Sequence, residues 1–310
     1  MSLETDLLLD RRRLKRRLIF WRSFAVLAVV AALLVSVRGG GGGLPVGGSH
    51  VARLAIAGLI TEDRKLTEAI DKLADDNSVK ALIVAIDSPG GTVSGGESLH
   101  NAIVRVAAKK PVVAVMGGVA ASAGYMIAVS TERIFAREST LTCSIGVLLE
   151  TGEVSGLLEK VGITAETIVS GPLKDQPSLS HKLSDQGREV LHGLVQDMFD
   201  QFVGMVATGR HMAPDAVRKI ADGRACTGRQ ALPLGLIDQI GEERDARAWL
   251  AAQRNVPATL PIEDVTTTTL LSRTFASNLG PLFEGVWKTV VSQSVRLDGA
   301  WAVWQRSDQR

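Results

Sequence analysis

The sequence predicts an α/β fold with a parallel sheet built from βαβ units, and three observations carry that prediction. Short apolar runs rich in β-branched residues at 51–60, 79–86 and 112–116 have the length and composition of buried strands. The stretches between them have helical periodicity, with Leu66, Ala69, Ile70 and Leu73 on one face of the first and a second helix over 95–108. The alternation of strand and helix at this spacing requires right-handed crossovers and a parallel sheet. In such sheets ligands bind beyond the carboxyl ends of the strands.

Two loops fall at those ends. Asp87-Ser-Pro-Gly-Gly91 follows the second strand and reads as an abrupt turn. After the third strand, Gly117 and Gly118 break the pattern, and small residues lead to Ser122 and the start of a helix. Ala120-Ala-Ser-Ala-Gly124 is a near relative of the G-x-S-x-G nucleophile elbow, with Ala replacing the first Gly. Small neighbours leave room for a substrate carbonyl, and a helix start offers unpaired N–H groups to an oxyanion. Small residues around a serine also serve ordinary helix–sheet packing.

Beyond Ser122 the pattern continues with strands at 133–136, at 141–149 around Ser144-Ile-Gly146, and at 164–169. A short helix over 154–160 precedes the last of these, and a polar loop with Pro and Gly covers 170–178. A long amphipathic helix over 185–208 and a shorter one over 214–222 follow, then a turn-rich connector over 223–241, and 246–252 closes the globular part. Residues 270–304 are moderately amphipathic and read as a helical tail packed on the domain or on a second subunit.

The N-terminus has its own physics. Seven basic residues between Arg11 and Arg22 lead into an apolar run over 18–37 interrupted only by Arg22. Twenty helical residues span ~30 Å, the thickness of a hydrocarbon core. Ser36-Val37-Arg38 places an arginine where a signal-peptide cleavage site wants a small residue, so a retained anchor is expected over a cleaved signal. The basic flank precedes the span, which puts the arm in the cytoplasm and the remainder in the periplasm of a bacterial inner membrane. The expected organisation is a cytoplasmic arm over 1–17, an anchor over 18–37, a Gly-rich linker over 38–50, a catalytic domain over 51–250 and an extension over 251–310.

Composition excludes several classes. With 310 residues, a formal charge of +2 and mixed charge beyond the arm, no nucleic-acid footprint is visible. The five histidines form no zinc spacing, and Cys143 and Cys226 are too far apart in sequence for a metal motif, so no metal or cofactor is expected. The two cysteines read as buried free thiols, with a disulfide open in an oxidising compartment.

A serine needs a base to take its proton. No histidine occurs between Ser122 and His181, and His181 flanks a helix in an ordinary exposed setting. A lysine is the other solution, provided burial supplies its neutral amine. Lys174, in the loop after Gly171-Pro-Leu, is the candidate, although Asp175 beside it would favour the charged form.

At these residues the chain resembles the signal peptide peptidases of the S49 serine peptidase family, in their short, single-domain form. The matching stretches are 87–91, 120–125, 144–147, 171–175 and the segment 221–238, in the family's order and spacing. The resemblance implies a ClpP/crotonase-like parallel βαβ superhelix with a helical C-terminal part. It implies that Ser122 is the nucleophile, Lys174 the general base and Ser144 the group that orients the lysine. Backbone N–H groups of Gly91 or Gly90 and of Ala123 are the candidates for the oxyanion hole, since adjacent glycines let a carbonyl approach closely. It further implies homo-oligomers in which neighbouring subunits contribute to each site. The chain departs from the family in having Ala123 where a Gly is common and in its extension beyond 250.

The expected function is a membrane-anchored Ser/Lys endopeptidase acting on cleaved signal peptides or similar apolar peptides at the periplasmic face. The alternatives are a catalytically inactive membrane scaffold on the same fold and a crotonase-type acyl-CoA enzyme, the latter disfavoured because a periplasmic domain has no CoA supply. Tyr125 reads as packing, and Asp87 as a bond to its own loop.

Overall fold

The computed structural model describes residues 48–265 and the backbone of a short strand at 301–303. The expected arm, anchor and most of the linker, and residues 266–300 and 304–310 of the extension, lie outside the described residues. Among the described residues no helix is long and apolar enough to cross a membrane.

The chain alternates β1 (His50–Ile60), α1 (Arg64–Asp75), β2 (Val79–Thr92), α2 (Val93–Ala107), β3 (Val112–Ala120), α3 (Ala123–Ala128) and β4 (Arg133–Ala136). Strands β1, β2, β3 and β4 pair in parallel in that order, as the βαβ reading requires. The helices begin where side chains satisfy their free amides: Asp63 accepts from Leu66 N–H at 3.0 Å and Thr92 from Gly95 N–H at 3.1 Å.

The strands bury both faces. Ala52, Leu54, Leu82, Val84, Val112 and Ala114 point to the larger core, where Ile70 of α1, Ile103 of α2 and Ile127 of α3 meet them. Their alternating neighbours Val51, Ala81, Ile83, Val113 and Phe135 form a smaller core on the opposite face. That face is closed by Ala246 and Leu250 of a later helix, α8 (Glu243–Arg254). Period-2 alternation of apolar residues on both faces is why these strands read as continuous apolar runs.

The remainder is less regular. After β5 (Leu141–Cys143) come α4 (Ser155–Lys160), α5 (Asp185–Gly209), α6 (Pro214–Ile220), β6 (Ala225–Thr227), α7 (Gly228–Ala231) and β7 (Gln239–Ile240), with β8 (Ile262–Asp264) after α8. The longest helix among the described residues buries Phe202, Val203 and Val206 in its C-terminal half, whereas Val190 and Leu194 are exposed.

Several expectations are corrected. The predicted strand at 164–169 has no regular structure: no strand among the described residues pairs with it, and Ile168 is exposed. The strand predicted at 141–149 stops at Cys143, where Cys143 and Ser144 take positive φ. The connector over 223–241 contains β6, α7 and β7, each too short to leave a periodic signal. The turn at 87–91 and the break at 117–118 are continuous strand, since β2 runs to Thr92 and β3 to Ala120, with register shifts between Ala57 and Leu59 and between Ile86 and Ser88. In the extension the described residues beyond Arg254 form strands rather than helix: β8 joins β1 in parallel, and β9 (Trp301–Val303) joins β2 antiparallel. Cys143 and Cys226 are bonded to each other, with Cα atoms 5.5 Å apart.

Candidate active site

Ser122 sits between β3 and α3 with φ 54° and ψ −120°. A non-glycine residue at positive φ costs about 1–3 kcal/mol and persists only where its surroundings over-determine it. Here four backbone hydrogen bonds do so. Ala121 N–H donates to Ser88 C=O at 3.1 Å, Ser122 N–H to Cys143 C=O at 3.0 Å, Gly124 N–H to Ala121 C=O at 2.9 Å, and Met126 N–H to Ser122 C=O at 2.9 Å. This strained strand-to-helix turn is the geometry of a nucleophile elbow. The Ser122 hydroxyl does not cap α3 and has no hydrogen-bond partner among the described residues, although Ser122 is only 1 % exposed. A hydroxyl kept free inside a packed elbow is available for chemistry.

The second strand comes close because Gly124 allows it: a Cβ there would meet Ser88 C=O at 3.2 Å. Ser88, buried and overlooked in the sequence reading, shapes the glycine strand, because its hydroxyl accepts from Gly90 N–H at 3.1 Å. Of the two glycines expected at the oxyanion hole, Gly90 has its N–H engaged by Ser88. Gly91 admits no side chain, since a Cβ there would lie 1.8 Å from Ile60 C=O. Ala123 N–H, the first amide of α3, has no backbone acceptor among the described residues and is the other candidate donor. Asp87 accepts from Val119 N–H at 3.0 Å, a structural bond to the neighbouring strand rather than to its own loop.

At Gly90–Thr92 β2 changes neighbours. There β1 takes one edge through Leu59 and Ile60, while β3 leaves the other after Ser88 pairs with Ala120. That second edge, on the side of Ser122, is where β9 pairs antiparallel: Gly90 with Val303, Gly91 with Ala302, Thr92 with Trp301.

Ser144 is buried beside this elbow at φ 52°, and its N–H donates to Arg224 C=O at 2.9 Å. Thr142 on β5 donates its hydroxyl to Ala120 C=O at 2.8 Å, which ties β5 to the residues just before Ser122. Lys174 makes no hydrogen bond to Ser122 within one chain. It lies exposed in the 170–182 loop, and its ammonium has no hydrogen bond or ion pair among the described residues. Asp175 does not accompany it; its carboxylate pairs with His181 at 2.7 Å. That hydrogen bond lowers the Asp175 pKa and raises that of His181.

The remaining polar groups nearby hold the scaffold. His100 Nδ1–H donates to Met126 C=O at 2.9 Å, and burial lowers its pKa, so a neutral imidazole pins α2 to α3. Tyr125 donates to Leu236 C=O at 2.7 Å, and burial raises its pKa, which agrees with a packing role. A groove of about 370 Å³ lies beside the start of α8, lined by Ile56, Asp87, Met116, Arg137 and Glu242, but Ser122 does not line it. No group of three or more His, Cys, Asp or Glu side chains could hold a metal among the described residues.

Known proteins share this sequence pattern. "Putative protease slr0021" of Synechocystis sp. is 41 % identical over 202 residues, which is 65 % of this chain and 73 % of that protein. "Putative signal peptide peptidase SppA" of Enterococcus faecium is 36 % identical over 223 residues, 71 % of this chain and 64 % of that protein. Among solved structures, a ClpP1 mutant from Listeria monocytogenes aligns with a TM-score of 0.42 at 20 % identity, over 62 % of this chain and 92 % of that one. The profile of "Peptidase family S49" matches residues 105–257. That stretch holds Ser122, Ser144 and Lys174, and the chain belongs to peptidase family S49 and is a serine peptidase.

Proposed function

We propose that the protein is a Ser/Lys endopeptidase, held at the periplasmic face of the inner membrane by its N-terminal segment, that cleaves apolar peptides such as the remnants of signal peptides. The observation that carries the reading is the Ser122 elbow, a buried serine with an unpartnered hydroxyl at a strained strand-to-helix turn. The basic arm and apolar run of the N-terminus support the anchor, and the S49 relatives support the substrate class.

A peptide enters as an antiparallel strand on the Gly90–Thr92 edge in the place that β9 holds in this structure, where backbone pairing gives affinity without fixing sequence. The Ser122 hydroxyl attacks the scissile carbonyl carbon as Lys174, in its neutral form, takes the hydroxyl proton. The N–H groups of Gly91 and Ala123 hold the oxyanion. The C–N bond then breaks, the proton passes from the lysine to the leaving amine, and Lys174 activates the water that hydrolyses the Ser122 ester.

Lys174 comes from a neighbouring copy in this reading. Among the described residues it is exposed and unengaged, and ten of the fourteen exposed large hydrophobic residues described lie between Leu148 and Leu194, around it in sequence. Such a concentration of apolar surface is what an oligomer covers. Packing there would also bury the lysine, and burial favours a neutral amine.

The test is incubation of the purified full chain with a signal-peptide mixture, with cut sites read by mass spectrometry. Wild-type protein cuts, whereas Ser122→Ala and Lys174→Ala do not while keeping wild-type circular dichroism. Undiminished cleavage by either variant would sink the dyad.

A further inference from the structure

Cys143 and Cys226 take no part in the chemistry above, yet they stand at its foundation. They join β5 to β6, two three-residue strands that pair antiparallel as Leu141 with Thr227, Thr142 with Cys226 and Cys143 with Ala225. Strands this short offer few ladder bonds, so the covalent link is a large part of what unites them. Both cysteines are buried, at 5 % and 7 % exposure.

Two features make the position of this bond consequential. First, the Cys143 carbonyl accepts the Ser122 N–H at 3.0 Å, so the nucleophile's backbone is fixed by a cysteine of the bridge. Cys143 and Ser144 both hold positive φ, 65° and 52°, a conformation that L side chains rarely adopt. Ser122 itself is at φ 54°, so three unfavourable conformations meet at one hydrogen bond and one bridge. Second, the segment carrying Lys174 leaves the sheet at Ser144 and returns at Ala225, so the bond clamps its two roots together. Were the bond open, Cys143 could relax to extended backbone, and its carbonyl would turn from the Ser122 amide.

We propose that the Cys143–Cys226 disulfide is a positioning element of the active site, holding the elbow and the roots of the lysine-bearing segment, so that full catalysis requires the oxidised pair. This rests on the reading of Ser122 as nucleophile. Reduction by a trialkylphosphine is the matching chemical step. The phosphine attacks one sulfur and the S–S bond breaks; water supplies the oxygen of the phosphine oxide and the two protons of the thiols.

The experiment follows labelling of the full chain by a serine-directed fluorophosphonate over a range of probe concentrations. Wild-type protein labels at Ser122, and Ser122→Ala does not. In the double variant Cys143→Ala/Cys226→Ala the limiting labelling rate falls about tenfold or more, since a displacement of ~1 Å at a reacting group can cost ~100-fold. The half-saturating probe concentration stays at the wild-type value, and melting stays above the assay temperature. Wild-type protein treated with the phosphine shows the same fall, with both thiols confirmed by alkylation and mass spectrometry, and regains its rate on reoxidation. That arm decides the matter if the double variant does not fold. An unchanged limiting rate in reduced wild-type protein, or in a folded double variant, overturns the proposal. Failure of wild-type protein to label at Ser122 overturns the nucleophile reading itself and this proposal with it.

Discussion

Ser122 and Cys143 are joined by a backbone hydrogen bond of 3.0 Å, so the elbow between β3 and α3 is held from the end of β5. Ser122 is thereby locked on both flanks, because Ala121 is bonded in turn to Ser88 of β2. A strained serine in such a frame keeps its hydroxyl where a substrate must come to it.

Truncating that hydroxyl isolates its chemistry from its fold. Ser122→Ala keeps every backbone bond of the elbow and is expected to leave the melting temperature within a few degrees of wild type. Peptide cleavage should fall on the order of 10⁵-fold or more, the scale seen when a serine nucleophile is removed. Initial rates on a fluorogenic peptide, together with a thermal melt, check both halves.

Gly91→Ala tests the strand that faces the nucleophile. The new methyl group would occupy space held by the Ile60 carbonyl, so β1 and β2 must separate. Overpacking of this kind costs about 1–3 kcal/mol, and the displaced Gly91 amide should cut kcat more than it raises KM. Steady-state kinetics on the folded variant would show the split; an unchanged kcat would remove Gly91 from the oxyanion hole.

Mixing two inactive proteins tests whether the dyad is shared. Ser122→Ala and Lys174→Ala, unfolded together and refolded, should recover roughly a quarter of wild-type activity if each site takes serine and lysine from different copies of a closed ring. No recovery in a mixture of confirmed hetero-oligomers would place both residues of a working site in one chain.

The Arg210–Asp238 pair gives a pH dependence of stability. Asp238 accepts from Arg210 at 2.7 and 2.9 Å and from Ile134 N–H at 2.8 Å. Burial pushes the Asp238 pKa up, but the hydrogen bonds and charge of Arg210 outweigh it, and the net shift is downward. A carboxyl with a depressed folded pKa contributes stability that is present above its ordinary value near 3.8 and is lost as pH falls through the depressed one. Asp238→Asn leaves the Arg210 charge largely buried and should cost about 3 kcal/mol, flattening the acid limb of a stability–pH curve measured by urea denaturation.

The His181–Asp175 pair makes the opposite limb visible in the loop that carries Lys174. The raised His181 pKa means its pairing is complete below the ordinary value of 6.5 and is lost as pH rises through the raised one. The lowered Asp175 pKa means the pairing is lost at the acid end as pH falls through it. Amide exchange over 171–182, corrected for intrinsic rates, should therefore quicken as pH rises past the histidine titration. His181→Gln should abolish that step.

The sequence by itself determined the parallel core and the elbow at Ser122. Buried strands flanked by period-3.6 helices leave a local pattern, and small residues around Ser122 at a strand end mark an elbow. It also marked Gly90, Gly91 and Ala123 as candidates, because an oxyanion hole needs backbone amides at strand ends. What it missed is what arises between segments distant in the chain. The strand read at 164–169 has no partner, and only pairing across the sheet makes an apolar run into a strand. Asp175, adjacent to Lys174 in sequence, is claimed by His181 in space. Cys143 and Cys226, 83 positions apart, read as separate thiols until β5 and β6 bring them together. Tertiary structure alone decided that the Ser122 amide rests on a carbonyl of that bridge, because hydrogen bonds between distant segments have no periodicity for a sequence to display.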